Sequence, residues 1–353
     1  MKTIKDFDIK DKKVLIRCDF NVPIINGKIG SEFRIKQALP TLEYAQKQGA
    51  KLILMSHLGD NKEDLSPVWS IVKKYIGDKN IVFLENLRIN KGEEANDDEF
   101  AKQLASLGDI YINDAFGVCH RNHASVSAIT KFLPSGAGLL LEKEIKILSQ
   151  ILENPARPLI AIIGGAKVSS KTKVINKFLK IADHLLFGGK IANAILAAKG
   201  ITLNGLTEDD KKEIENINIT STKIHLPIDA VVSRKSMALG KVKKDDVILD
   251  IGQETITMFS EIIREAKTII WSGPLGLFEQ KPFEKGTKEI AKSICKNNQA
   301  FKVAGGGDTT NAIEKFKLEE KFDHLSTGGG AMLAFLGGEE LPGLKALGYY
   351  GEN

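Results

Sequence analysis

The chain has 353 residues, 42% of them hydrophobic, which suits two globular domains rather than one. Its 50 basic and 45 acidic residues give a net charge of +5 that is dispersed along the sequence, which argues against nucleic acid as a partner. Three cysteines without a CxxC pair argue against structural disulfides and a zinc cage, and the N-terminal residues lack the apolar core of a secretory signal. We therefore expect a cytoplasmic protein without a membrane segment.

Short apolar runs alternate with longer amphipathic ones, which is typical of βα units that build a parallel sheet. The first half contains predicted strands at Lys13 to Cys18, Lys51 to Met55, Ile81 to Glu85 and Asp109 to Ile112, and predicted helices at Phe33 to Gln48, Val68 to Tyr75 and Asp97 to Leu107. The second half contains predicted strands at Pro158 to Ile163, His184 to Phe187, Thr268 to Trp271 and Phe301 to Ala304, and predicted helices at Lys171 to Ile181, Ile191 to Ala198, Thr255 to Ala266 and Thr287 to Lys296. The pattern predicts an α/β fold.

A long helix is predicted between the two halves, from Leu139 to Leu152. It ends at the segment Asn154 to Pro158, because proline cannot continue a helix and has no N–H to donate. This is the natural boundary between two domains.

The strand ends of the first half carry several polar and basic side chains. They are Asp19, Asn21, His57, Arg88, His120 and Arg121, and Arg34 begins the first long helix. Ligands of open parallel sheets bind beyond the carboxyl ends of the strands, and guanidinium groups bind carboxylates and phosphates bidentately. We therefore expect a pocket for a small molecule with more than one negative charge. A metal at His120 and His123 is disfavoured because no third ligand accompanies them, and Cys18 is expected in the core.

Two triple-glycine turns, Gly305 to Gly307 and Gly328 to Gly330, each follow an extended stretch and lead into a helix-like run. Glycine lets consecutive backbone N–H groups point at one spot, and the positive end of the helix dipole adds to their effect. We predict phosphate contact at these turns. The alternative for either turn alone is that glycine serves only the tight geometry.

The segment Gly164 to Lys171 is predicted to place Lys167 and Lys171 four residues apart on one face of a beginning helix, where both could bind phosphate. Two exposed lysines without a ligand are the alternative. The Walker pattern is absent, because Gly188-Gly189-Lys190 is followed by isoleucine and has no glycine at the required upstream position.

The turn from Trp271 to Glu279 offers an apolar wall and one carboxylate. Such a turn suits a base and a ribose hydroxyl, although alone it could equally be a packed turn.

Eight motifs, in one order along the whole chain, resemble those of phosphoglycerate kinases. They are Arg17 to Pro23, Ser56 to Gly59, Glu85 to Arg88, Asp114 to Gly117 with His120-Arg121, Gly164 to Val168, Trp271 to Glu279, Gly305 to Thr309 and Ser326 to Gly330. The resemblance implies two Rossmann-like parallel-sheet domains joined by a long helix. The N-terminal domain would be residues 1–138 with the returning segment 339–353, the interdomain helix 139–153, and the C-terminal domain 154–338.

The same resemblance implies reversible phosphoryl transfer between 1,3-bisphosphoglycerate and ADP in glycolysis and gluconeogenesis, with hinge-bending domain closure in a monomer. The implied ligands of 3-phosphoglycerate are Asp19, Asn21, Arg34, His57, Gly59, Arg88 and Arg121. The implied ligands of ADP or ATP are Lys167, Lys171, Glu279, Gly306, Gly307, Asp308 and Thr309, with Asp308 also at Mg²⁺. Those implied to stabilise the phosphoryl group in transfer are Arg34, Lys167, Gly307 and Gly330.

Three departures from the family pattern stand out. Asp60 replaces an anion-binding arginine, and we hypothesise that Lys62 compensates. Ser272 replaces an asparagine on the nucleotide side, and the chain is short for the family, with one helix between Gly59 and Ile81. An active enzyme is expected. The alternatives are a catalytically impaired binding protein of the same fold and, more remotely, a nicotinamide-dependent oxidoreductase, which the incomplete glycine fingerprint disfavours.

Overall fold

A computed structural model of the chain describes residues 1–25, 27–60, 63–202 and 206–351. These residues form two compact units: unit 1 is Met1–Ile147 with Glu340–Asn353, and unit 2 is Leu148–Glu339. Within those described ranges, every helix is too short or too polar to cross a membrane.

Unit 1 begins with alternating strands and helices. The strands are β1 (Lys13–Cys18), β2 (Ile24–Ile25), β3 (Lys28–Ile29), β4 (Lys51–Met55), β5 (Ile81–Phe83), β6 (Ile110–Asp114) and β7 (Ser135–Ala137). The helices are α1 (Phe33–Lys47), α2 (Ser66–Ile76), α3 (Lys91–Glu94), α4 (Asp98–Ala105) and α5 (Leu139–Glu153), the last of which continues into unit 2. Short 3-10 helices lie at Ile4–Asp6, Leu87–Ile89, Phe116–Val118 and Ala128–Lys131.

The main sheet of unit 1 is parallel and has the strand order β5-β4-β1-β6-β7. Side chains of β1 alternate between two apolar cores, with Val14 and Ile16 on one face and Leu15 on the other. Arg17 shares the face of Leu15. The strand order reverses between β1 and β6, which is where ligands of such sheets bind.

Unit 2 repeats this plan and adds a small antiparallel sheet. Its strands are β8 (Leu159–Ile163), β9 (His184–Phe187), β10 (Ile224–His225), β11 (Asp229–Val232), β12 (Lys235–Ala238), β13 (Ile248–Ile251), β14 (Thr268–Ser272), β15 (Phe301–Gly305) and β16 (His324–Ser326). Its helices are α6 (Thr172–Ile181), α7 (Gly189–Ala198), α8 (Glu208–Glu215), α9 (Gln253–Glu265), α10 (Lys285–Lys296), α11 (Gly307–Lys315) and α12 (Gly329–Leu336), with 3-10 turns at Leu239–Lys241 and Glu319–Lys321.

The main sheet of unit 2 is parallel, in the order β10-β9-β8-β14-β15-β16, and its order reverses between β8 and β14. The second sheet has the order β12-β11-β13. The last helix of the chain, α13 (Pro342–Ala346), belongs to unit 1, and the Gly343 N–H donates to the Cys119 carbonyl at 2.9 Å.

The α/β class and the two parallel sheets confirm the predicted fold. All eight predicted strands occur within two residues of their predicted ends, and α2 is the helix expected between Gly59 and Ile81. The antiparallel sheet β12-β11-β13 was not predicted, because its short strands alternate with turns and lack the long apolar runs of buried parallel strands.

Candidate active site

In unit 1, basic side chains converge beyond the carboxyl ends of β1 and β4. Arg34, near the start of α1, donates from one Nη1 atom to the Asp19 carboxylate and to the Asn21 carbonyl, both at 3.0 Å. The Asn21 side chain in turn accepts the Gly59 N–H at 3.0 Å. These bonds bring together four of the predicted substrate ligands.

Asp19 is 6% exposed and lies among cations. Burial alone would raise its pKa, but the charges of Arg34 and its neighbours outweigh burial, and the pKa of Asp19 is lowered. The carboxylate therefore stays ionised and holds Arg34 in place.

Arg88 follows β5 in the 3-10 helix Leu87–Ile89 and is 8% exposed. Its Nη1 donates to the Gly59 carbonyl and to the Asp60 carboxylate, and its Nε lies 3.3 Å from Glu94. The acid that replaces the expected arginine thus pairs with a predicted substrate ligand. Lys62, the hypothesised compensation, lies outside the described residues.

Arg121 lies near the same group of charges. Burial, and then the charge of Arg88, lowers the pKa of Arg121, and Asp19 and Asp60 act on it in the opposite direction. We call Arg34, His57, Arg88 and Arg121 the basic cluster.

His123 and Cys18, which the sequence did not assign to a ligand site, both lie among other protein groups. His123 Nδ1 lies 3.7 Å from the Glu93 carboxylate, an ion-pair contact if the ring is protonated. Cys18 is fully buried, and burial raises the pKa of its thiol, which confirms the prediction of a core residue.

Arg17 was missed as a site residue by the sequence interpretation. It is 1% exposed and its Nη2 lies 3.2 Å from Nδ1 of His57. An arginine inside an apolar strand is the signal that could have found it, because an arginine is almost never fully buried without partners. Its partners Glu93 and Ser125 lie far away in sequence, so their roles could not have been read from local pattern.

In unit 2, the two triple-glycine turns adjoin each other. Gly306 has φ +106° and precedes α11, and Gly328 precedes α12. A Cβ built on Gly329 would lie 3.2 Å from Gly306 Cα and 3.4 Å from Gly307 N. Two helix N-termini therefore open side by side, as β15 and β16 are neighbours in the sheet.

The lysine pair of the second glycine segment is arranged differently from the prediction. Residues 164–171 form turns, and α6 begins only at Thr172, so Lys167 and Lys171 do not share a helix face. Lys167 is exposed, whereas Lys171 is 7% exposed and donates to the carbonyls of Gly164 at 2.6 Å and Ser272 at 2.8 Å. Burial lowers the pKa of Lys171 to about 8.

The turn that begins at Gly164 contains glycine because its backbone lies close to that of the loop after β14. A Cβ on Gly164 would lie 2.1 Å from the Pro274 carbonyl oxygen, so only glycine allows the loops after β8 and β14 to meet. The Lys171 ammonium binds carbonyls of both loops. The alternative of two exposed lysines is therefore wrong for Lys171.

Thr309 and Ser272 also hold these turns. Thr309 is fully buried and its hydroxyl accepts the Gly273 N–H at 2.7 Å. The Ser272 hydroxyl lies 3.5 Å from the Lys171 ammonium. A direct ligand contact by the Thr309 hydroxyl stays a prediction.

A cavity lies beside these turns, between the Trp271 to Glu279 turn and the antiparallel sheet. Its apolar wall is formed by Leu196, Leu239, Ile248, Leu275 and Leu277. Polar groups at the cavity include Lys190, Asn193, Asp250, Glu279 and Asp308. The sequence predicted the Leu275 side of this wall, and the unpredicted antiparallel sheet supplies the opposite side.

Asp250, at 2% exposure, is one of two buried acids that line the cavity, and the other is Asp229. Asp250 accepts backbone N–H groups of Gly286 at 2.7 Å and Ile251 at 2.9 Å. Burial outweighs these bonds and raises the pKa of Asp250 to about 7.

The donor set fits a Mg²⁺ ion held with a nucleotide better than a metal held by protein alone. Within the described part of the chain, His, Cys, Asp and Glu form no group of three that could hold a metal. Asp308 is exposed in the first turn of α11, and Mg²⁺ is typically held by one or two carboxylates together with substrate phosphates.

The fold and these two groups define an α/β protein of two Rossmann-like units, with a basic cluster in one and a glycine-lined cavity in the other, suited to anionic ligands. The family model for phosphoglycerate kinase matches residues 4–339. The phosphoglycerate kinase of Dictyoglomus turgidum is 43% identical and that of Pelotomaculum thermopropionicum 40% identical, each over 98% of this chain and at least 97% of the relative. The chain therefore belongs to the phosphoglycerate kinase family.

Solved structures agree. The phosphoglycerate kinase from Pyrococcus horikoshii OT3 has a TM-score of 0.88 at 32% identity, with 98% of both chains covered. That from Coxiella burnetii has a TM-score of 0.85 at 34% identity, with 99% of both covered. The chain is accordingly a kinase, a phosphotransferase of glycolysis.

The predicted shortness is also confirmed. The alignment with the Dictyoglomus turgidum protein has 385 positions against the 353 residues of this chain, so that relative has at least 32 residues that this chain lacks.

Proposed function

We propose that this chain transfers a phosphoryl group reversibly between 1,3-bisphosphoglycerate and ADP, giving 3-phosphoglycerate and ATP. The observation that supports it most is the presence, in one chain, of a basic cluster in unit 1 and of adjoining glycine turns beside a cavity in unit 2. An acidic three-carbon substrate needs the first, and an adenine nucleotide needs the second.

The basic cluster binds the phosphoglycerate in this proposal. Arg34, Arg88 and Arg121 neutralise its phosphate and carboxylate, and His57 donates a hydrogen bond. Asp19, Asn21 and Gly59 position Arg34 and the loop after β4, as their contacts with one another support.

The cavity of unit 2 takes the nucleotide base, and Glu279 accepts a ribose hydroxyl. The N–H groups from Gly306 to Thr309 bind the phosphates at the start of α11. Lys171 contributes through the loops whose carbonyls it binds.

The chemistry needs positioning and charge rather than a general base. The carboxylate that attacks ATP in the reverse direction has a reference pKa near 4, so it is already ionised at neutral pH. Charge on the oxygens of the transferring group is stabilised by Arg34, Lys167 and the backbone N–H groups at Gly307 and Gly330. The two bound substrates must also meet, so domain closure belongs to the proposal.

Asp308 would hold Mg²⁺ together with the nucleotide phosphates. The bound ion would supply neutralisation of negative charge on those phosphates.

The remaining expectations complete the proposal. We propose a cytoplasmic monomer whose N-terminal domain is 1–138 with 339–353, joined through helix 139–153 to the C-terminal domain 154–338.

A coupled assay tests the proposal. Purified chain, ADP, Mg²⁺ and 1,3-bisphosphoglycerate should yield ATP at a rate proportional to enzyme concentration. An impaired binding protein would bind ADP in calorimetry and yield no ATP above the uncatalysed rate. That second result would reject the activity.

A further inference from the structure

A hydrogen-bonded network leads to His57 of the basic cluster, and its other members have no role in the proposed function above. It joins Glu93, Ser125, Arg17 and His57, each at most 2% exposed. These residues come from α3, the loop after Phe116–Val118, β1 and the loop after β4, so the network connects four separate segments of unit 1.

The chemistry of each group fixes the direction of its hydrogen bonds. The Glu93 carboxylate accepts the Ser125 hydroxyl at 2.6 Å and the Ser125 N–H at 2.9 Å. Since that hydroxyl donates to Glu93, its lone pairs accept Nε of Arg17 at 2.9 Å. Nη1 of Arg17 donates to the Cys18 carbonyl. Hydrogen bonds from Nε and Nη1 therefore fix the orientation of the guanidinium group that contacts the histidine through Nη2.

The third side of the guanidinium meets His57. Nη2 of Arg17 lies 3.2 Å from Nδ1 of His57. A guanidinium only donates and does not lose its proton, so Nδ1 must accept the bond and carry no proton. The proton of a neutral ring then resides on Nε2.

We infer that Arg17 is a positioning residue that fixes His57 as the neutral tautomer protonated at Nε2, and that His57 thus offers the phosphoglycerate a directed donor rather than a positive charge. The hydrogen bond from His57 to phosphoglycerate rests on the proposed function, whereas the assignment of the His57 tautomer does not.

The charges around His57 support a neutral ring. The cations Arg17, Arg88 and Arg121 disfavour a positive ring, whereas the anion Asp19 favours it. Burial, and then the charge of Arg17, lowers the pKa of His57 to about 3. An ordinary histidine, with a pKa near 6.5, would change charge between about pH 5 and pH 8.

The first test is nitrogen NMR of the full chain labelled at its six histidines. His57→Gln identifies the His57 signals by their loss. The expected spectrum shows protonated Nε2 and unprotonated Nδ1, unchanged from pH 5.5 to 8. A proton on Nδ1, or titration of the ring with a pKa near 6.5, would overturn the inference even if the enzyme is active.

The second test is Arg17→Met/Glu93→Gln, which removes both buried charges so that neither is left uncompensated. The pKa of His57 should rise, because burial still lowers it but the charge of Arg17 no longer does. At pH 8 the KM for 3-phosphoglycerate should rise about tenfold with a smaller change in kcat, because one oriented hydrogen bond is lost. The ratio of variant to wild-type KM should fall as the pH is lowered to 5.5, because the ring gains a charge.

The matched control is Arg157→Met/Asp183→Asn, which removes an exposed pair of the same charges in unit 2. It should leave the His57 spectrum and the KM ratio unchanged. If the double variant does not fold, Ser125→Ala replaces it in the same measurements. The KM for 3-phosphoglycerate should then rise about threefold. A KM ratio independent of pH in the folded variant contradicts the inference. Absence of kinase activity together with the expected tautomer rejects only the proposed function.

Discussion

Two buried carboxylates, Asp19 in unit 1 and Asp250 in unit 2, show how differently the two ligand regions are built. Both are at most 6% exposed, yet the pKa of Asp19 is lowered and that of Asp250 is raised to about 7. Burial raises both pKa values, but only Asp19 has an arginine at 3.0 Å that outweighs it among the described contacts. Asp250 relies on two backbone N–H groups.

The same difference extends to the ligand groups. The basic cluster of unit 1 consists of three arginines and the neutral His57, and charged side chains contact Arg34, Arg88 and His57. The glycine turns of unit 2 offer backbone N–H groups instead of charged side chains. Of the two lysines in the preceding glycine segment, Lys167 is exposed and Lys171 is buried. Unit 1 should therefore be sensitive to the removal of charge, and unit 2 to the addition of a Cβ atom.

The largest expected effect is that of Lys167→Ala. In the proposed function Lys167 neutralises charge on the transferring group, so kcat should fall about 10²–10³-fold, by analogy with the loss of one oxyanion donor. Lys180→Ala, at an exposed position in the same half of the chain, serves as control and should be neutral. An unchanged kcat in Lys167→Ala would remove that lysine from the mechanism.

Next in size is the opposite pH dependence of the two acids. The raised pKa of Asp250 means that its contribution to stability is present below the unfolded pKa of about 4 and is lost as the pH rises through about 7. The unfolding free energy of Asp250→Asn, relative to that of wild type, should therefore increase by about 2–4 kcal/mol from pH 4 to pH 8. Urea unfolding at several pH values measures this.

Urea unfolding of Asp19→Asn at the same pH values tests the other half of the comparison. The lowered pKa of Asp19 makes its contribution present above pH 4 and lost as the pH falls through the folded pKa. The difference from wild type should thus be constant from pH 5 to pH 8 and shrink in acid. The same sign of pH dependence for both variants would break the comparison.

A smaller effect is expected for Gly329→Ala. Its Cβ would lie 3.2 Å from Gly306 Cα, so the two glycine turns must separate slightly. ADP affinity should fall about tenfold, as a mild overpacking cost predicts. Gly240→Ala, whose Cβ would meet nothing within 4 Å, should bind ADP as wild type does in calorimetry.

The smallest expected effect is that of Asp60→Asn. Asp60 is 90% exposed in its side chain and pairs with Arg88. Release of Arg88 should lower the KM for 3-phosphoglycerate about two- to fivefold, since solvent around the exposed Asp60 carboxylate weakens its attraction to Arg88. A higher KM in the variant would show that Asp60 helps to place Arg88 rather than competing for it.

Much of the fold followed from the sequence because buried parallel strands are continuous apolar runs. β1, β4 and β9 have the predicted bounds. The sheet β12-β11-β13 lacks that signal. The strand-end rule also located Asp19 and the glycine turns correctly at the ends of the strands.

The side-chain directions could not be predicted. Lys171 looked like a helix lysine, but its ammonium turns inward because the carbonyls of two close loops need a donor. The bonds of Arg17 to Ser125 and His57 join residues 108 and 40 positions apart, and no local pattern encodes such contacts.

The most direct measurement of the account is calorimetric titration of Arg34→Met and Gly329→Ala with each substrate separately. Arg34→Met should lose affinity for 3-phosphoglycerate about tenfold or more and keep its affinity for ADP, because a charged hydrogen bond is removed from unit 1 alone. Gly329→Ala should show the reverse. If either variant weakens both ligands equally, the two ligands do not occupy separate sites of different construction, and the account is wrong.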